Sequence, residues 1–169
     1  MSRVQWFASV GAPLDDTDVA EIRAMLSMEP LLETAEIARA DDWLALTRFQ
    51  LAQDFDSSWW EFEEEERQRL WALAAEQLSE EELSARLGAL NEALAAEVGV
   101  GAKSAASRAG ISDPELIRAA TGAALLAAQQ NALAVLAGLA VTHYFSRKLA
   151  LFTRGRWPLG LYQGRYVTF

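Results

Sequence analysis

An uncharged stretch constrains the fold of this chain more than any other feature. No Asp, Glu, Lys or Arg occurs at positions 119–146, a run of 28 residues. Upstream of it, Ser112 and Asp113 can cap a helix and Pro114 suits its first turn, which together predict a helix start. We therefore predict a long Ala-rich helix over residues 112–152, at the centre of the fold.

The length of this stretch suits a membrane span as well as a protein core, because about 20 apolar residues cross a bilayer. However, ten of the 28 residues are Ala, and Gln129-Gln130-Asn131 lies near the middle. Polar side chains at that depth in a bilayer need partners. Leu side chains project to one side of the helix and small residues, such as Ala124 and Ala127, to the other. We favour a core helix and keep, as the alternative, a membrane-associated protein that inserts residues 119–145.

The sequence as a whole predicts an all-α protein. With 169 residues, 51% of them hydrophobic, it is long enough to bury a sizeable core as one domain. We predict an acidic helical part over residues 1–98, a Gly-containing linker over 99–111 and a basic aromatic tail over 153–169. The expected fold is a single-domain helical bundle around the central helix, with a short strand pairing of Val4–Phe7 with Tyr166–Phe169.

Local signals divide the acidic part into several helices. A short helix is predicted after Pro30, through Ile37, and another runs from an Asp41-Asp42 cap to Phe55. A third is predicted from Trp59 to Leu78.

The helix that follows opens with a capping box, Ser79 to Glu82. Its apolar side chains recur at helical spacing, which predicts a face turned toward the core. They are Leu83, Leu87, Leu90 and Leu94.

The charge is divided between the two ends of the chain. Residues 1–100 carry 7 basic and 22 acidic side chains, whereas residues 101–169 carry 8 basic and 2 acidic ones, and the formal net charge is −9. We expect the acidic part to wrap the basic part, so that each partly neutralises the other. The functional alternative is an acidic face for a basic partner, or a basic tail for an anionic surface.

Standard catalytic and metal sites lack their usual residues here. The sequence contains no Cys, and His143 is the only His. Zinc–thiolate sites, thiol nucleophiles and His-based metal sites are therefore not expected. We predict no catalytic residues, no metal and no cofactor, and we interpret His143 as a hydrogen-bonded core residue.

Two glutamates stand apart from the acidic run around them. Glu63 and Glu66 project among aromatic side chains of their helix, where a carboxylate needs a partner or a raised pKa. The favoured interpretation is structural ion pairing with an Arg of the basic half, and an acid–base pair in an enzyme is an alternative hypothesis. The candidate partners are Arg118, Arg147 and Arg154.

We predict a non-catalytic bacterial cytoplasmic module that binds a protein partner or associates with itself, as an adaptor, chaperone, immunity protein or antitoxin-like inhibitor. The 13 Arg and 2 Lys suggest a GC-rich bacterial genome. The missing secretory signal favours the cytoplasm, with inner-membrane association as the alternative. Nucleic acid is not favoured as a partner, because the acidic charge opposes a polyanion.

Trp and Arg are frequent interface anchors. The predicted interaction residues are Trp59, Trp60, Glu63, Glu66, Arg147, Arg154, Arg156 and Trp157.

Overall fold

The computed structural model describes residues 4–45, 57–139 and 142–169. Over these residues the chain is mainly helical, as predicted, with a small three-stranded mixed sheet. The helices are α1 (Asp16–Leu26), α2 (Ser57–Ala75), α3 (Glu80–Arg108), α4 (Pro114–Leu136) and α5 (Tyr144–Thr153); the strands are β1 (Glu36–Arg39), β2 (Pro158–Tyr162) and β3 (Arg165–Thr168). Trp43 begins a further helical segment, and the predicted continuation of that helix to Phe55 lies outside the described residues.

The capping signals in the sequence mark real helix starts. Ser79 forms the predicted capping box at α3, since its hydroxyl accepts from the amide of Glu82, whose carboxylate accepts from the amide of Ser79. Asp113 caps α4, and Pro114 occupies the first turn. Each cap satisfies backbone donors that have no partner inside the helix.

The predicted central helix over residues 112–152 is wrong as a single element. The structure divides it into α4 and α5. Gly138 ends α4 in the left-handed region, with φ of 79°, and the amide of Leu139 donates to the carbonyl of Ala134 at 2.9 Å. This is a Schellman termination, which Gly favours because it has no Cβ. The alternative membrane segment, 119–145, therefore contains a helix end.

The predicted linker over residues 99–111 is also wrong, because α3 continues to Arg108. Packing outweighs the helix-weakening effect of Gly at this point. A Cβ on Gly101 would lie only 2.7 Å from the Cβ of Trp6, so the bare helix surface admits the N-terminal segment. The connection between α3 and α4 is only the short segment 109–113.

The chain terminus forms a strand, but not with the predicted partner. β3 lies between β1, to which it is parallel, and β2, to which it is antiparallel. Ile37 faces Tyr166 in this register, so the short helix predicted through Ile37 is a strand. Val4–Phe7 forms no strand; Trp6 and Phe7 instead enter the core as part of a turn.

Helix α4 lies at the centre of the core, as predicted. Its first half joins a cluster with α3 and the N-terminal segment, and its second half joins a cluster with α1, α2, α5 and the sheet. The small side is the buried one, since Ala120, Ala124 and Ala127 are at most 1% exposed, while Leu126 is 39% exposed. Small side chains let the neighbouring backbones approach closely, and part of the Leu surface remains uncovered.

Candidate functional site

The two charged halves of the chain partly neutralise each other through buried ion pairs. Asp18 of α1 accepts from Arg154 at 2.9 Å and from Arg156 at 2.6 Å. Burial opposes the ionised form of Asp18, but the hydrogen bonds from both guanidinium groups hold its pKa below the usual value. Arg156 also donates to the carbonyl oxygens of Ser9, Ala12 and Pro13. This cluster ties the N-terminal segment to the C-terminal part.

A second buried cluster joins α2 to α5. The Nζ of Lys148 lies 2.7 Å from both carboxylate oxygens of Glu63 and 5.6 Å from the ring centroid of Trp59. The hydroxyl of Tyr144 donates to Glu63 at 3.0 Å and accepts from the indole N–H of Trp59 at 3.3 Å. Burial, together with the neighbouring Tyr166 and Glu63, raises the pKa of Tyr144 well above its usual range, so the phenol stays protonated.

The only histidine caps α5. The Nδ1 of His143 accepts from the amide of Phe145 at 3.1 Å, which leaves the proton on Nε2, 2.6 Å from Glu66. A hydrogen bond from Arg69 lowers the pKa of Glu66; burial opposes the shift and His143 adds to it. His143 is buried and hydrogen-bonded, as predicted, although it precedes the helix rather than lying inside it.

Structural ion pairing of the two glutamates is confirmed, but all three predicted Arg partners are wrong. Glu63 forms an ion pair with Lys148, and Glu66 forms an ion pair with Arg69 and a hydrogen bond with His143. The predicted arginines bind other carboxylates: Arg118 binds Glu115, Arg147 binds Glu21, and Arg154 binds Asp15 and Asp18. Helical projection places a side chain on a face and carries no information on which element packs there.

Four of the predicted interaction residues are buried in the fold and form no accessible surface. They are Trp59, Glu63, Arg156 and Trp157, each at most 4% exposed. Trp60 is 50% exposed and contacts Trp59 in a tilted arrangement, with ring centroids 4.7 Å apart and an interplanar angle of 55°. Arg147, Arg154 and Glu66 are partly exposed, but each is already engaged in an ion pair. Most of the basic and aromatic side chains of residues 153–169 are therefore engaged in contacts within the fold.

An apolar cavity of about 480 Å³ lies between the N-terminal half of α3 and the C-terminal half of α4. We call it the leucine groove. Arg86, Asn131 and Thr153 are its polar lining residues. The larger apolar side chains of the lining are Trp6, Leu87, Leu90, Leu94, Val135, Leu136 and Leu149. The apolar stripe of α3 was predicted to face the core, but only Leu83 is fully buried. On the other wall, Val135 is 51% exposed.

A larger cavity, of about 820 Å³, lies between the N-terminal segment and the C-terminal half of α3. It is more polar, and its polar groups already bond to one another. The indole N–H of Trp6 donates to Glu97 at 3.3 Å, and Arg108 donates to Ser104 at 3.2 Å. These internal pairs leave the leucine groove as the stronger candidate surface.

The carboxylates of the charged clusters lie away from both cavities, although Arg154, an ion-pair partner of Asp18, lines the larger one. None of Asp18, Glu63 and Glu66 lines one of the cavities above. Within the described ranges, no group of three or more His, Cys, Asp and Glu side chains is arranged to hold a metal ion.

Comparison with known proteins finds no matching family model, no matching curated protein and no matching solved structure. The function is therefore inferred from the surface and charge of the chain itself.

Proposed function

We propose that this chain is a single-domain, non-catalytic, cytoplasmic bacterial protein-interaction module that binds a protein partner at the leucine groove. An adaptor, a chaperone, an immunity protein or an antitoxin-like inhibitor would all act in this way. The observation that carries the proposal is the half-covered apolar stripe on α3. Leu87, Leu90 and Leu94 line an open groove, where burial of their apolar surface against a partner is favourable.

The groove has the dimensions and chemistry of a binding site. Its volume of about 480 Å³ lies within the range of roughly 300–1,000 Å³ that is usual for ligand sites. The exposed Val135 and the half-buried Leu90 line the groove from two different helices, so both walls offer apolar surface to a partner. Removing such apolar surface from water favours association, although part of the gain is offset by the entropy lost on binding.

Charge favours a basic partner. The Arg and Lys side chains of the C-terminal part are largely paired internally, so the net charge of −9 is concentrated on the acidic helices. Glu80, Glu81 and Glu92 on α3 are exposed, and they outnumber Arg86, the exposed cation of the same half of the helix, which lines the groove. An acidic surface next to an apolar groove steers positively charged partners toward it and opposes association with a second, equally acidic copy.

Site-specific photo-crosslinking tests this proposal in the full chain. A photo-crosslinking residue in place of Val135 is expected to capture one identifiable protein, which is not captured from position 31. Leu31 is the matched control, because it is 40% exposed and does not line the groove. Val135→Asp is expected to abolish copurification of that protein, and Leu31→Asp to preserve it. Equal capture from both positions, or loss with both variants, would contradict the proposal.

Membrane association is the second candidate, and α4 is the observation that favours it. By length and composition, α4 is the one helix in the described part of the chain that is apolar enough to span a membrane. Inserting α4 would uncover the surfaces that now pack on its buried Ala side. Flotation with liposomes separates the candidates: the chain floats if it inserts, and it stays at the bottom of the gradient if α4 remains in the core.

A further inference from the structure

A third cavity, of about 350 Å³, lies between α2, α3 and α4. We call it the amide recess. Its main lining residues are Trp71, Leu87, Gly88, Leu126, Gln130 and Leu133. Leu87 also lines the leucine groove, so the two cavities share one side chain of α3.

Gln130 is the buried polar group of the recess. Its residue is 4% exposed, and its Oε1 has no hydrogen-bond partner among the described residues. Buried polar groups in native proteins are nearly always hydrogen-bonded, and an unsatisfied one costs free energy. A carboxamide offers both donors and acceptors. The backbone amide of a bound polypeptide offers both in return.

Gly88 is the second unusual feature of the recess. A Gly inside a helix lowers helix stability, and a Cβ at Gly88 would meet no heavy atom within 4 Å. Packing within the described chain therefore does not explain it, unlike Gly101, which admits Trp6. The missing side chain leaves space for the backbone of another molecule to approach α3 closely.

The rim of the recess is acidic. Glu80 lies one turn before Ser84, which lines the recess, and Glu92 lies one turn after Gly88; both glutamates are exposed. Neither is in a salt bridge with any described residue. The Arg67 guanidinium of the recess is bonded to Glu64 at 2.6 Å, so its charge is largely offset. The negative electrostatic potential from Glu80 and Glu92 favours a cationic ligand.

We infer that the amide recess binds a short basic segment of a partner polypeptide. One apolar side chain of the segment packs between Trp71 and Leu126, and a backbone amide pairs with the carboxamide of Gln130. Lys or Arg side chains flank these contacts near the acidic rim. This inference rests on the proposed function, because it names the chemistry of the partner and one place where it docks.

A phage-displayed library of random 12-residue peptides, selected on the full chain, tests the inference. We expect enriched peptides to combine apolar residues with net positive charge. Their synthetic versions are expected to bind Gly88→Leu and Gln130→Met at least about tenfold more weakly than the original chain, because the first variant fills the recess and the second removes the amide pairing.

Two features keep this test independent of folding. Gly88→Leu improves helix propensity and Gln130→Met removes an unsatisfied buried amide, so both variants are expected to unfold at or above the original temperature. Ala93→Leu is the matched control and is expected to keep full affinity, whereas Gly88→Ala is expected to weaken binding, but less than Gly88→Leu does, because it adds only a Cβ to the space left for the partner. Ala93 is an exposed residue of α3 that lines neither cavity.

The contrary outcomes have separate meanings. Peptides that lose affinity with Val135→Asp but bind Gly88→Leu and Gln130→Met normally overturn the amide recess and support the leucine groove. Peptides insensitive to all three variants, or no enrichment over an unrelated acidic protein, count against both sites. Enriched peptides without Lys or Arg overturn the assigned charge.

Discussion

At the scale of single residues, the buried carboxylates Asp18 and Glu63 each have a cationic partner within hydrogen-bond distance. Glu63 is 3% exposed and receives hydrogen bonds from Lys148 and Tyr144. Taking such charges out of water is costly, and their mutual attraction offsets that cost only while both partners are present. Loss of either partner alone therefore leaves an uncompensated charge in the core.

Removal of one partner is predicted to be much worse than removal of both. Lys148→Met is expected to lower the free energy of unfolding by about 3–5 kcal/mol, because it leaves the Glu63 carboxylate buried without a cation. Urea denaturation of Lys148→Met, Glu63→Gln and the double variant measures the coupling. The double variant is expected to lose less than Lys148→Met alone, and therefore far less than the sum of the two single losses. Strict additivity would show that the two side chains act independently.

At the scale of elements, α3 shows how packing overrides local signals. Gly99 and Gly101 lie two residues apart in the same helix, and the sequence offers no reason to distinguish them. In the structure, a Cβ on Gly99 would come no closer than 4.0 Å to the Cγ2 of Thr121, whereas a Cβ on Gly101 would collide with Trp6. One Gly is replaceable and the other is required for docking of the N-terminal segment.

Opposite effects are therefore predicted for the two Ala substitutions. Gly99→Ala is expected to raise the free energy of unfolding by up to about 1 kcal/mol, since Ala is the better helix former. Gly101→Ala is expected to lower it by about 1–3 kcal/mol, because Trp6 must move away from α3. Urea denaturation measures both, and faster hydrogen exchange over residues 4–11 in Gly101→Ala would locate the damage. Equal effects of the two substitutions would contradict the assigned Trp6 contact.

At the scale of the whole molecule, ion pairs join distant parts of the chain. Arg156 and Asp18 are 138 positions apart, and Arg156 also holds the carbonyls of Ser9, Ala12 and Pro13. The same guanidinium thus connects the turn before α1 with the segment after α5. The charge division visible in the sequence becomes a set of internal contacts of this kind.

The free energy of unfolding is predicted to fall at acid pH, because the Asp18 carboxylate becomes protonated and no longer pairs with its arginines. Because hydrogen bonds to Arg154 and Arg156 lower the pKa of Asp18 in the folded chain, its contribution is complete above the unfolded pKa of about 3.9. It is lost as the pH falls from there through the folded pKa. Unfolding temperatures of the original chain and Asp18→Asn, measured from pH 7 to pH 2.5, are expected to differ most near neutrality and to converge below about pH 4. A constant difference over this range would contradict the role of Asp18.

The sequence by itself determined the features that depend on neighbouring residues. The capping groups at Ser79 and Asp113, the helical spacing in α2 and α3, and the mainly helical class all follow from local hydrogen bonds and periodicity. The opposite charge of the two chain halves also indicated that they would pair, as Asp18 with Arg156 and Glu63 with Lys148 do.

Only the tertiary structure decided which partners meet across long stretches of chain. Glu63 binds Lys148 rather than an Arg, β3 pairs with β1 rather than with the N-terminus, and the small side of α4 is the buried one. The same applies to both candidate binding surfaces, because Leu87 remains half-covered only through the way α2, α3 and α4 pack. Local propensity fixes where a helix starts and which residues share a face, whereas contacts between distant elements depend on the volume and shape of everything packed between them.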